Sequence, residues 1–244
     1  MIKEGILSKL YNVIYPRRCP VCDDILFTPG QIKRPKICPG CSGKITLIKQ
    51  PACLKCGKKL EDDAQEYCSD CMRKNHVFDR GVAVFSYTDA MKKSMYAFKY
   101  NNRREYAGFY AECALKSYER YFRLWKPEVI VPVPLHKARY RRRGYNQAEI
   151  FANELSRLSG IPVDNRLLMR VKNTRPQKEL DDKERVHNLN NAFQIMGDSV
   201  KYRRVLLMDD IYTTGTTIDE CAGVLKAGGV SNVYFLTVCI GRGF

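Results

Sequence analysis

Val205-Leu-Leu-Met-Asp-Asp-Ile-Tyr-Thr-Thr-Gly-Thr-Thr217 is the stretch on which the fold turns. Its four leading apolar residues predict a buried strand. Two adjacent acids end the run, small hydroxyl residues follow around one glycine, and residues 217–227 read as a helix closed by Gly228-Gly229. Backbone N–H groups at such a helix start point outward, and the helix dipole favours an anion there. Thr213, Thr214, Thr216 and Thr217 add hydroxyl donors, and Gly215 lets the backbone approach closely. Asp209 and Asp210 repel a phosphate, so they suit a sugar diol, which donates hydrogen bonds, or a hydrated Mg²⁺. The plain alternative is an ordinary capping turn. The whole thirteen-residue pattern, with a strand before it and a helix after, favours the anion site.

Outward from this segment the chain alternates. Val82–Tyr87, Val129–Pro134 and Val233–Val238 read as strands, and residues 91–99, 104–123 and 146–158 as helices. Ala148, Phe151, Ala152 and Leu155 share one helical face, with Asn146 and Gln147 as capping residues. Residues 172–191 are polar and read as a long loop. The alternation predicts an α/β fold, a mostly parallel sheet with helices on both faces. Ligands in such sheets sit at the carboxyl ends of strands.

The first third is different. Residues 2–14 place Leu7, Leu10, Tyr11 and Ile14 at helical spacing, a short amphipathic helix stopped by Pro16. From Pro16 to about Lys74 there is little periodicity, and eight of the eleven cysteines fall here as four Cys-x-x-Cys pairs: Cys19/Cys22, Cys38/Cys41, Cys53/Cys56 and Cys68/Cys71. One such turn aims two thiolates at one metal, and two complete a tetrahedral zinc site with no position left for water. The first two pairs are separated by fifteen residues, within the usual zinc-ribbon window, and the last two by eleven, somewhat shorter; two structural zincs paired sequentially are expected. An interleaved cross-brace and disulfides are the alternatives. His76 follows the last cysteine and is read as a surface residue rather than a ligand. Cys113, Cys221 and Cys239 read as small core hydrophobes. The expected division is residues 1–76 for the helix and zinc-ribbon module and 77–244 for the α/β domain.

The chain has 244 residues, 45% of them hydrophobic and 28% charged, which excludes global disorder. No apolar run is long enough to span a bilayer, and Met1–Leu10 lacks the h-region of a secretory signal, so a cytoplasmic location without membrane insertion is expected. The net charge of +16 suits nucleic acid, anionic metabolites or an acidic partner, and suits a plain solvated surface equally.

The strand, paired acids and Thr-rich loop resemble the phosphoribosyl diphosphate (PRPP) motif of type I phosphoribosyltransferases. Val131-Pro-Val-Pro-Leu135, Arg141-Arg-Arg-Gly-Tyr-Asn-Gln147, Thr174-Arg-Pro-Gln177, Leu180, Arg185, Asn188 and Ala192-Phe193, with the cysteine pairs, are similar to the ComF family over nearly the whole chain. Phe98-Lys99-Tyr100 and Arg103 match too, although Asn101-Asn102 stand where that family has a glycine. The resemblance implies a phosphoribosyltransferase-like domain behind a double zinc ribbon. It implies that Asp209 and Asp210 hold ribose hydroxyls and Thr213–Thr217 the 5′-phosphate. The loop Pro132, Val133, Pro134, Leu135 would face the diphosphate, Arg185 would close over it, and Mg²⁺ would accompany PRPP. Arg139, Arg141, Arg142 and Arg143 are candidate diphosphate or DNA contacts, or else an exposed turn. The implied role is natural competence, with imported single-stranded DNA and competence-machinery proteins as partners. A phosphoribosyltransferase of nucleotide or metabolite salvage with an unknown acceptor is the alternative.

Overall fold

A computed structural model describes residues 16–26, 36–172, 192–196 and 201–241. The amphipathic helix expected over residues 2–14, and Arg185 with the rest of the polar segment 173–191, lie outside them.

The elements in chain order are α1 (Pro39–Ser42), α2 (Ser69–Arg73), β1 (Arg80–Ser86), α3 (Asp89–Tyr100), α4 (Tyr106–Trp125), β2 (Val129–Pro132), α5 (Lys137–Arg143), α6 (Gln147–Ser159), β3 (Leu168–Arg170), β4 (Phe193–Ile195), β5 (Arg204–Tyr212), α7 (Thr216–Ala227) and β6 (Asn232–Ile240). Four strands form one sheet in the order β1-β6-β5-β2, every neighbour parallel. β3 and β4 make a small antiparallel pair beside it. The expected α/β architecture with a parallel sheet is what the chain builds.

Alternation along the strands sorts the core into two layers. Val129, Val131, Val205, Leu207, Val233 and Phe235 pack on one face with Ile218, Ala222 and Leu225 of α7. Ile130, Leu206, Met208, Leu236 and Val238 pack on the other with α3, α4 and α6. A strand buried on both faces carries an unbroken apolar run, which is why 205–208 read so clearly. Local signals fix the helices. The Thr88 hydroxyl accepts from Met91 N at the start of α3, and the Asn146 side chain from Ala148 N at the start of α6, as expected of that residue. Gly144 and Gly160 end α5 and α6 in the left-handed conformation. Trp125, the only tryptophan, is buried and stacks on Tyr234 with ring centroids 4.6 Å apart.

The cysteine-rich segment packs against both layers. Ile48 N donates to Val84 O, Ser86 N to Thr46 O and Gly81 N to Lys55 O. Cys53, Cys56, Leu60 and Cys68 join Phe78, Tyr212 and Phe235 in the α7-side core. Gly57, at φ +74°, lets this segment touch the sheet: a Cβ there would meet Gly81 O and Val82 Cα at 2.8 Å. Cys221 and Cys239 are buried as expected, and Cys113 is half-buried. Among the described residues no helix is long and apolar enough to cross a membrane.

Candidate functional site

β2 and β5 are adjacent and parallel, so their carboxyl ends open into one cleft of about 290 Å³. Asp209, Asp210, Thr213 and Thr217 line it from β5 and α7; Val133, Pro134 and Leu135 line it from the loop after β2. Arg139 and Arg143 of α5 close one side. Of the other predicted residues, Pro132 is buried in β2, and Thr214, Gly215 and Thr216 shape the turn instead of lining the cleft. Gly215 has φ +79°, and a Cβ there would lie 2.5 Å from the Tyr212 hydroxyl. The Thr214 and Thr216 hydroxyls bond each other at 3.0 Å. Arg141 and Arg142 do not line the cleft, although Arg142 lines a neighbouring cavity with Lys99, Tyr100 and Arg143, and Arg185 lies outside the described residues. The arginine run is the helix α5 rather than a turn.

The acids are held unequally. Asp209 is half-buried; desolvation and the neighbouring Asp210 carboxylate push its pKa up to about 7, despite the hydrogen bond it accepts from Asp210 N at 2.8 Å. Asp210 is paired with Lys99 Nζ at 2.8 Å. Arg170 of β3 also lines the cleft; burial, then Arg139, lowers its pKa to about 10. A half-buried pair of acids beside Lys92, Lys99, Arg139, Arg143 and Arg170 suits a ligand with both hydroxyl donors and phosphate charge. The Asn146 amide donates to Val133 O at 3.0 Å and so fixes the β2 loop to the start of α6.

Lys99, Arg170, Tyr96 and Tyr100 were not singled out as site residues from sequence. On α3, Lys92, Tyr96, Lys99 and Tyr100 all line the cleft, and their spacing of four, three and one is a helical stripe opposite the buried Met91, Ser94 and Phe98. That stripe was available as a signal. Tyr96 and Tyr100 are 60% and 50% exposed with centroids 5.0 Å apart, and the Arg143 guanidinium lies 5.0 Å over Tyr100. Arg170 sits on a strand of three residues, too short to show a period.

The cysteines gather as two groups, Cys19/Cys22/Cys38/Cys41 and Cys53/Cys56/Cys68/Cys71, with the sulfurs of each within 4.8 Å of one another. The pairing is sequential, which excludes the cross-brace. Cys22–Cys38 and Cys56–Cys68 sulfurs stand 3.7 Å apart. That is far beyond a disulfide bond. It matches the ~3.8 Å edge of a tetrahedron with Zn–S near 2.3 Å. The donor set and spacing therefore fit structural zinc. His76 is corrected in its setting: its side chain is 1% exposed rather than at the surface. Its Nδ1 bonds Asp219 of α7 at 2.8 Å, a partner 143 residues away that nothing local announces.

Residues 10–72 match the family model of the double zinc ribbon domain. Competence protein F of Haemophilus influenzae is 36% identical over 202 residues, covering 81% of this chain and 87% of its own. The DNA utilization protein YhgH of Escherichia coli K12 is 30% identical over 206 residues (83% and 89%), and the competence protein ComFC of Bacillus subtilis 28% over 231 (88% and 92%). A purine phosphoribosyltransferase from Pyrococcus horikoshii Ot3 overlaps 54% of this chain and 73% of its own at 21% identity and a TM-score of 0.33. So distant a likeness carries no argument, and the fold class stands on the sheet itself. With double zinc ribbon, parallel sheet and a relative 36% identical over four-fifths of its length, this chain belongs to the ComF family of competence-protein-F homologues.

Proposed function

We propose that the cleft binds Mg-PRPP or a closely similar phosphoribosyl ligand, and that the protein acts in natural competence, in the handling of imported single-stranded DNA. The observation that carries the ligand reading is the meeting of Asp209, Asp210, Thr213, Thr217 and Val133–Leu135 in one cleft ringed by Lys99, Arg139, Arg143 and Arg170. The hydroxyls and N–H groups opening α7 receive the 5′-phosphate. Asp209 and Asp210 accept from the ribose hydroxyls, and the Lys99 ammonium is released from Asp210 toward the diphosphate. Mg²⁺, when bound, neutralises diphosphate charge. Arg185, on the segment after β3, is proposed to close over the same group. The competence role is supported by the relatives, named as competence proteins, and the basic excess of +16 suits a strand of phosphates.

A second reading, pentosyl transfer to an acceptor in salvage, is favoured by one observation. The exposed Tyr96–Tyr100 pair at the mouth of the cleft suits a planar group. The same rings suit the bases of a single strand.

Calorimetric titration of the zinc-loaded protein with PRPP and Mg²⁺, beside an Asp209→Asn/Asp210→Asn double variant, tests the site. Saturable binding lost in the variant is the expected result. No binding by the folded wild type removes the ligand reading and leaves a nucleic-acid or partner-binding role.

A further inference from the structure

The segment leaving the second cysteine cluster ends on the helix that the Thr-rich loop opens. Cys68 and Cys71 flank the start of α2, and the chain then passes Lys74, His76 and Val77 before entering the core at Phe78. All three of those residues converge on Asp219. Its Oδ2 meets His76 Nδ1 at 2.8 Å and Lys74 Nζ at 3.0 Å, and its Oδ1 accepts from Val77 N at 2.9 Å. Asp219 in turn donates its N–H to Gly215 O at 2.8 Å. His76 stacks on Phe78, centroids 4.8 Å apart, and its Cε1 lies 3.0 Å from where a Cβ on Gly215 would stand. The imidazole is therefore wedged between the cluster's exit and the turn of the loop. Its Nε2 is buried without a hydrogen-bond partner.

Electrostatics give this contact a consequence for an anion. A carboxylate in the first turn of α7 competes with a phosphate for the same helix dipole and repels it. Burial pushes the Asp219 carboxyl up, but His76 and Lys74 hold it below the ordinary carboxylate range, so it is charged at neutral pH and needs those partners. Removing His76 both frees the turn and leaves the acid less compensated beside the anion site.

We propose that His76, with Lys74 and Asp219, is a positioning strut through which the metal-loaded second cluster holds the Thr213–Thr217 loop in its anion-binding shape. Metal at Cys53, Cys56, Cys68 and Cys71 and a phosphorylated ligand in the cleft then favour each other's binding, reciprocally and by the same factor. This rests on the phosphoribosyl reading of the cleft.

The test follows zinc release from the full-length, zinc-loaded protein to a chromogenic chelator, with and without saturating Mg-PRPP. One of two zincs is expected to leave several-fold more slowly with ligand present, the other at an unchanged rate. His76→Ala abolishes that protection and weakens PRPP binding by about ten-fold. His76→Asn, whose side-chain N–H can still reach Asp219, restores part of both. A residue that only supports the fold lowers the melting temperature of His76→Ala and leaves the protection in place, which overturns the proposal. PRPP binding with both release rates unaltered overturns it too, while the cleft reading stands. Should PRPP not bind, the cleft reading falls, and inorganic phosphate, which needs only the loop, replaces it in the release assay; no protection at saturating phosphate then overturns the strut. Lys74→Met carries the same measurement if His76→Ala does not fold.

Discussion

The first cysteine cluster has a small core of its own, Cys19, Val21 and Cys41, with Ile45 and, from α3, Ala90 packed against it, and polar groups tie it to the rest of the molecule. Arg103 grips both oxygens of Asp23 at 2.7 and 2.8 Å, the Tyr106 hydroxyl donates to the same carboxylate, and the Ser94 hydroxyl donates to Pro20 O. Arg103 and Tyr106 stand at the α3–α4 junction. The second cluster puts Cys53, Cys56 and Cys68 inside the α7-side core of the sheet. The ligand chemistry is the same, but one cluster is docked on the wall that carries Lys99 and Tyr96, and the other is part of the floor beneath the Thr-rich loop. The difference teaches that four thiolates do not define a role. What the metal holds depends on which surface the ribbon buries.

Four measurements sharpen or break this contrast. The largest effect is expected from the ligands themselves. Cys56→Ser should lower the melting temperature by more than about 10 °C and Cys22→Ser by less than half of that, each losing one zinc, by calorimetry and metal analysis. Equal losses would mean that the clusters are energetically alike. Next come two glycines. Gly57→Ala places a Cβ 2.8 Å from sheet backbone at φ +74° and should cost about 2–4 kcal/mol in denaturant unfolding. Gly43→Ala, where nothing lies within 4 Å, should change stability by less than about 0.5 kcal/mol.

Between the two supports, the cleft should show strain of its own. The pKa of Asp209 is raised to about 7, so ionising it costs the folded state. Asp209→Asn keeps an acceptor for Asp210 N and should raise the melting temperature by a few degrees. The gain should grow as pH rises from about 4 toward 7 and level off above, while phosphoribosyl affinity falls. A gain that shrank with pH would contradict the burial described.

The smallest effect is expected at the first cluster's dock. Burial pushes the Asp23 carboxyl up, but the bonds from Arg103 and Tyr106 prevail and hold it low. Its stabilisation is present above the ordinary carboxylate range and is lost as pH falls below it. Arg103→Ala should cost about 1 kcal/mol at pH 7, less in high salt and nothing at pH 2–3, with the second zinc site unchanged.

The sequence carries the contrast only in part. The paired acids, the Thr-rich loop and the sequential cysteine pairs were legible because each is local: one strand end, one turn, one spacer. The 205–208 run gave its strand away by being apolar on both faces. Asp219 and His76 were not legible as a pair, because one reads as an ordinary first-turn acid and the other as an exposed residue. Only the packing of α7 on the ribbon brings them together. Lys99 lay within a recognised segment, yet its pairing with Asp210 depends on how α3 crosses the sheet ends. β3 and β4 have three residues each, too few for alternation to speak, so Arg170 stayed hidden in them.

The stacked Trp125 and Tyr234 give the molecule a built-in optical reporter. A lone, buried indole should emit at short wavelength in the folded chain and shift to the red when α4 leaves β6. Because that indole belongs to the layer opposite the second cysteine cluster, its emission reads one side of the sheet while a chelator's colour reads the other. Recording both during one melt would time the two faces of the sheet against each other without a label.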